Sequence, residues 1–130
     1  MVTADFDGDG ILDLAVGGNG YFVTLKGNGD GTFQTGVNHT IFSETMSLAV
    51  ADFNGDGLPD LAVSDSICGA VTFMLGTGNE DFQQIDSYAV GYSPGIMAVG
   101  DFDGHGKPSL AVASPYGASN NVTILRNTTR

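Results

Sequence analysis

Residues 5–16 read DFDGDGILDLAV, residues 52–63 read DFNGDGLPDLAV, and residues 101–112 read DFDGHGKPSLAV. The three stretches are versions of one pattern, spaced by 47 and then 49 residues. The likeness runs on downstream. Phe22-Val23-Thr24-Leu25 corresponds to Val71-Thr72-Phe73-Met74 and to Val122-Thr123-Ile124-Leu125. GNGDGTF at 27–33 corresponds to GTGNEDF at 76–82. A period of about 48 residues is that of a β-propeller blade rather than of a helical repeat.

The local signals agree with strands. Apolar runs are short, β-branched residues are common, and glycine or asparagine turns separate them. No 3.6-residue periodicity is sustained. The second repeat divides into strands at about 46–52, 59–64, 70–75 and 82–90, each within a few residues. Leu14-Ala15-Val16, Leu61-Ala62-Val63 and Leu110-Ala111-Val112 read as core residues of blades packed face to face. The expectation is an all-β chain of about three four-stranded antiparallel blades, incomplete at both ends. Blade 1 covers about 1–45, blade 2 about 46–94 and blade 3 about 95–130.

The acidic loop then joins the first and second strands of each blade. The first copy carries Asp5, Asp7, Asp9 and Asp13 at positions 1, 3, 5 and 9, with Gly10 at position 6. A tightly curled backbone turns every second residue toward a common centre, and hard oxygen donors suit calcium. The Ile11 carbonyl at position 7 can add an oxygen. The second copy offers Asp52, Asn54, Asp56, the Leu58 carbonyl and Asp60. An Asx-turn hairpin, shaped by Asp and Gly alone, is the plainer reading of one such loop. Two near-complete copies in register favour metal. Position 12 is Val16 or Val63 where an EF-hand needs Glu, so this is a shorter loop inside a β-hairpin. Magnesium prefers compact octahedral sites rich in water, and zinc wants His or Cys.

These motifs, with the GNGDGTF turn, resemble the FG-GAP repeats and their VCBS-type relatives, which build the calcium-binding propeller of integrin α chains. The resemblance covers nearly the whole chain. It implies four-stranded blades and Ca2+ in the first hairpin loop, held by Asp5, Asp7, Asp9, Ile11 and Asp13, and again by Asp52, Asn54, Asp56, Leu58 and Asp60. It also implies a scaffold role and an extracellular or cell-surface setting.

The third loop, Asp101 to Ser109, departs from the pattern. His105 replaces the acid at position 5, Ser109 replaces it at position 9, and Lys107 adds a positive charge. Imidazole is a poor partner for a hard cation. The expectation is a hairpin that keeps its turn and holds an ion weakly or not at all.

Bulk composition points the same way. Four Lys and Arg stand against 15 Asp and Glu, for a net charge of −11. That charge repels phosphate backbones and anionic membranes and attracts cations. Nine of the 15 acids sit in the three nine-residue windows, a crowding that calls for neutralisation. No run of 18 apolar residues spans a membrane. An acidic loop opens the chain where a signal peptide would be basic and apolar. The single Cys68 has no internal partner and reads as a half-buried or surface thiol.

The expected assembly follows from the blade count. Propellers have about 4–8 blades, and an arc of about three exposes two apolar faces. A homodimer would complete six blades with two-fold symmetry. The rival is a longer chain that supplies its own remaining blades. Catalytic motifs such as HExxH, GxSxG, the P-loop and CxxC are missing. His39 and His105 read as surface or loop histidines. Asn38-His39-Thr40, Asn121-Val122-Thr123 and Asn127-Thr128-Thr129 match the glycosylation pattern at chance level. The reading is a non-catalytic, calcium-binding scaffold or adhesion module with a protein or glycan ligand. The alternative is a lectin-like propeller using Tyr21, Tyr88, Tyr92 and Tyr116.

Overall fold

The computed structural model describes residues 1–115 and 120–128, the side chains of Phe42 and Ser43 excepted. Its strands are β1 (Val2–Ala4), β2 (Asp13–Gly17), β3 (Asn19–Leu25), β4 (Val37–Ala51), β5 (Asp60–Asp65), β6 (Ala70–Gly76), β7 (Phe82–Ala89), β8 (Met97–Gly100), β9 (Ser109–Ser114) and β10 (Asn121–Leu125). No helix occurs among the described residues. All strand pairs are antiparallel and join neighbours in the chain. The all-β, propeller-like class expected from the sequence is the one observed. Tyr116 and Thr129 lie outside the described residues.

Strands β1 to β7 form one continuous sheet, and β8 to β10 form a second. The continuity comes from β4, which runs for 15 residues. Its first part pairs with β3, up to Glu44 opposite Asn19. Its second part pairs with β5, from Thr45 opposite Asp65 to Ala51 opposite Asp60. A register shift between Thr45 and Ser47 lets the strand bend from one pairing into the other. Unit one is therefore β1, β2, β3 and the first part of β4. Unit two is the rest of β4 with β5, β6 and β7, and unit three holds β8, β9 and β10.

The strand expected at about 46–52 thus begins at Val37 instead. VNHTIFSETMSLAVA contains no glycine or proline to break it. The next junction, VGYSPGI at 90–96, contains both, and there β7 stops at Ala89 and β8 restarts at Met97.

Two apolar layers separate the units. Phe6, Ala15 and Phe22 of unit one meet Leu48, Leu61, Val63 and Met74 of unit two. Ala49, Phe53, Ala62 and Val71 on the other face of unit two meet Met97, Leu110 and Val112 of unit three. Side chains alternate across a strand, so β5 sends Leu61 and Val63 to one layer and Ala62 to the other. Each large side chain fully buried in such a layer contributes about 1.5–3 kcal/mol.

The repeated Leu-Ala-Val is core in all three residues only in unit two. In unit one Ala15 is buried while Leu14 and Val16 are half-buried. In unit three Leu110 and Val112 are buried and Ala111 is half-buried. Identical residues differ here because units one and three each have a neighbour on one face only, among the described residues.

Candidate metal centre

Each acidic loop joins the first two strands of its unit: β1 to β2, β4 to β5, and β8 to β9. Position 1 folds it. Asp5 accepts from the N–H groups of Gly8, Asp9 and Gly10 at 2.7, 3.0 and 2.8 Å. Asp52 gathers Gly55, Asp56 and Gly57 at 2.7, 3.1 and 2.9 Å. Asp101 gathers Gly104, His105 and Gly106 at 2.8, 3.2 and 2.8 Å. The glycines at positions 4 and 6 take left-handed φ, for instance 77° and 84° in loop 1 and 74° and 76° in loop 3. These N–H groups, Gly106 foremost, hold the Asp101 carboxyl below its ordinary range.

Position 9 ties the loop to the rest of the unit. Asp13 is buried and accepts from Phe6 N–H at 2.9 Å and from Gly27 N–H at 2.8 Å. Asp60 does the same with Phe53 at 2.8 Å and Gly76 at 3.0 Å. Burial pushes the Asp60 carboxyl up, against the pull of those N–H groups. Gly27 and Gly76 stand so close to the loop that a Cβ would lie 2.3 Å from the Leu12 carbonyl and 2.2 Å from the Pro59 carbonyl. In unit three Ser109 accepts from Asn127 N–H, at 3.0 Å.

Positions 1, 3 and 9 converge in loop 1. In loop 1 the carboxylate oxygens of Asp5, Asp7 and Asp13 lie within 4.8 Å of one another, an all-oxygen donor set of the kind calcium takes. Asp9 turns one oxygen to Ile11 N–H at 2.8 Å. Its other oxygen meets the Lys26 ammonium at 2.9 Å, and Lys26 also pairs with Asp7. This pairing holds the Asp9 carboxyl below its ordinary range and raises the Lys26 ammonium well above its own. Unit two carries Leu75 where unit one has Lys26. There the Asn54 amide donates to Asp56 at 2.8 Å, and Leu58 N–H donates to Asp56 at 2.8 Å. Asn54, followed by Leu58 N–H, keeps the Asp56 carboxyl low. In loop 3 His105 Nδ1 lies 3.1 Å from Asp103, and the imidazole is 76% exposed.

The structure adds a carboxylate that the repeat pattern did not single out. Glu80, in the β6–β7 turn of unit two, lies over loop 1 of unit one. Its N–H donates to the Phe6 carbonyl at 3.3 Å. Its Oε1 is buried and has no hydrogen-bond partner among the described residues. Burial first, then the charges of Asp13 and Asp7, push this carboxyl up. Two residues on, Phe82 packs edge-on against Phe6 and Phe22 at 5.5 and 5.4 Å. A cross-repeat comparison would have flagged both additions: Lys26 stands opposite Leu75, and Glu80 stands opposite Gly31.

The remaining candidates fall elsewhere. His39 is a half-buried strand residue and not a loop histidine. It lies in β4, stacked on Phe22 at 4.6 Å, with Nε2 2.9 Å from Thr24 Oγ1. The inter-unit aromatic cluster draws it in, and burial lowers its pKa. Cys68 is exposed, and the Asp65 carboxylate raises its pKa. Tyr21, Tyr88 and Tyr92 are exposed. Tyr88 makes an edge contact with Phe73, and no ring contact joins the three tyrosines among the described residues.

Four-stranded antiparallel units with an acidic, glycine-curled loop between their first two strands define a propeller-type repeat protein. The chain matches the family model described as FG-GAP-like repeat twice, over residues 5–63 and 52–112, and it belongs to that family. The repeat is that of a propeller-type interaction module, in a family that is generally non-enzymatic. No curated protein matches the chain. No helix of the described residues is long and apolar enough to cross a membrane.

Proposed function

We propose that this protein is a non-catalytic, calcium-binding β-propeller module that serves as a structural or adhesion-type interaction scaffold. The observation that carries the reading is the oxygen cluster of Asp5, Asp7 and Asp13. Asp5, Asp7, Asp9, the Ile11 carbonyl and Asp13 would hold one ion. Asp52, Asn54, Asp56, the Leu58 carbonyl and Asp60 would hold a second. The ion, when bound, neutralises clustered carboxylates and fixes the hairpin. An extracellular or cell-surface setting, where calcium is millimolar, suits this reading. Calcium titration of the metal-free chain tests this. Saturable binding with a rise in melting temperature supports it, and a flat titration refutes it.

We also infer that the outer faces of units one and three are covered by further blades, supplied by a second copy in a six-bladed ring. Equivalent residues support this. Val71 is 0% exposed and its counterpart Val122 is 64%; Phe53 is 8% and its counterpart Phe102 is 49%. Such faces favour association. Light scattering in calcium should give twice the chain mass. A stable monomer would contradict it.

A further inference from the structure

The turns that precede β4 and β7 are built alike. Asn28 N–H donates to the Thr32 carbonyl at 3.0 Å, and Thr77 N–H donates to the Asp81 carbonyl at 3.0 Å. The fifth residue of each turn has a left-handed backbone. In unit one it is Gly31, with φ 89°, which suits glycine. In unit two it is Glu80, with φ 60°. A glutamate in that conformation is strained and persists only where its surroundings hold it. The Phe6 carbonyl holds its N–H, and Phe82 anchors the turn on Phe6 and Phe22.

The strain delivers a carboxylate to loop 1. Glu80 Oε1 is buried and accepts no hydrogen bond among the described residues, and its backbone N–H is held at Phe6, inside loop 1. The nearby Lys26 is occupied by Asp7 and Asp9. An ionised oxygen buried without a donor is costly unless a cation meets it. We propose that Glu80 is a ligand of the loop 1 ion, contributed across the unit boundary, so that binding at loop 1 also fastens unit two onto unit one. The proposal rests on the calcium reading of loop 1 and adds to it a residue outside the repeat's own hairpin.

The test is a calcium titration of the whole chain, followed at the backbone amides of Gly10 for loop 1 and Gly57 for loop 2. Glu80→Gln keeps the size and removes the charge. It should weaken calcium at Gly10 about tenfold and leave Gly57 unchanged. Asp81→Asn removes an equal charge from the exposed neighbour and should leave both loops within about twofold of the parent. Glu80→Gly restores the residue of unit one. It should raise the melting temperature without calcium and shrink the gain on adding it. Parent-like binding at Gly10 in Glu80→Gln would overturn the proposal. So would equal weakening by Asp81→Asn, which would reduce the effect to general charge. In either case calcium at Gly57 would leave the wider reading standing. A parent chain in which neither amide responds would overturn both.

Discussion

Loops 1 and 3 fold alike and are equipped differently. Both begin with an aspartate that gathers the N–H groups of positions 4, 5 and 6. Both place left-handed glycines at positions 4 and 6. Beyond that they part. Loop 1 brings three carboxylates within 4.8 Å, whereas loop 3 pairs one carboxylate with an exposed imidazole. The comparison separates two jobs that a run of aspartates conceals. The acid at position 1 shapes the hairpin. In loop 1 that acid also joins those at positions 3 and 9 in the oxygen cluster, and position 9 secures the hairpin to the third strand as well.

The broadest way to break this division is to remove calcium. With the ion at about a hundredfold over its Kd, binding stabilises by about 2.7 kcal/mol per site, or about 5 kcal/mol for loops 1 and 2 together. Chelation should cost that much in denaturant unfolding. Hydrogen exchange should speed up around loops 1 and 2 and stay unchanged at loop 3. The second test acts on position 9 in calcium-free buffer. Asp13→Ala strips the acceptor from two N–H groups and Asp60→Ala from three, and each should cost about 2–5 kcal/mol. Ser109→Ala strips it from one and should cost about 1 kcal/mol. Equal losses in all three would show that position 9 has one role throughout.

Finer tests sharpen the contrast between loops 1 and 2. The Lys26 ammonium sits on Asp7 and Asp9, where it would compete with a bound cation. Lys26→Met should tighten calcium at loop 1 and leave loop 2 as it was, in calorimetric titration. Unchanged affinity at loop 1 would show that the ammonium does not compete. The smallest effect concerns loop 3 alone. The Asp101 carboxyl is held below its ordinary value near 3.8. A carboxylate depressed by folding contributes stability that is complete above the unfolded value. That contribution is lost as pH falls through the folded one. Without calcium, the melting-temperature gap between the parent and Asp101→Asn should therefore be constant from neutral pH to about 4 and close at lower pH.

Much of this was legible in the chain. The repeat at 5, 52 and 101 gave the antiparallel class, because each copy carries the same turn glycines and the same short apolar runs. The loss of acid at His105 and Ser109 was plain from residue type. What the sequence hid depends on contacts between units. The Leu-Ala-Val repeat looks the same three times, yet its burial depends on which faces have neighbours. His39 looks like a loop residue until Phe22 and Phe82 enclose it. Glu80 lies 67 residues beyond Asp13 in sequence, and no motif within one hairpin includes it. Lys26 hides for the same reason, since it belongs to the end of the third strand and not to the acidic loop.

The central claim is that one hairpin has been kept in two chemical states, and calcium stoichiometry tests it most directly. Calorimetry on the metal-free chain, with the Gly10, Gly57 and Gly106 amides followed in parallel, should show two ions per chain. Gly10 and Gly57 should shift on binding and Gly106 should stay where it is. Three equivalent ions with all three amides moving together, or no binding at all, would contradict the account.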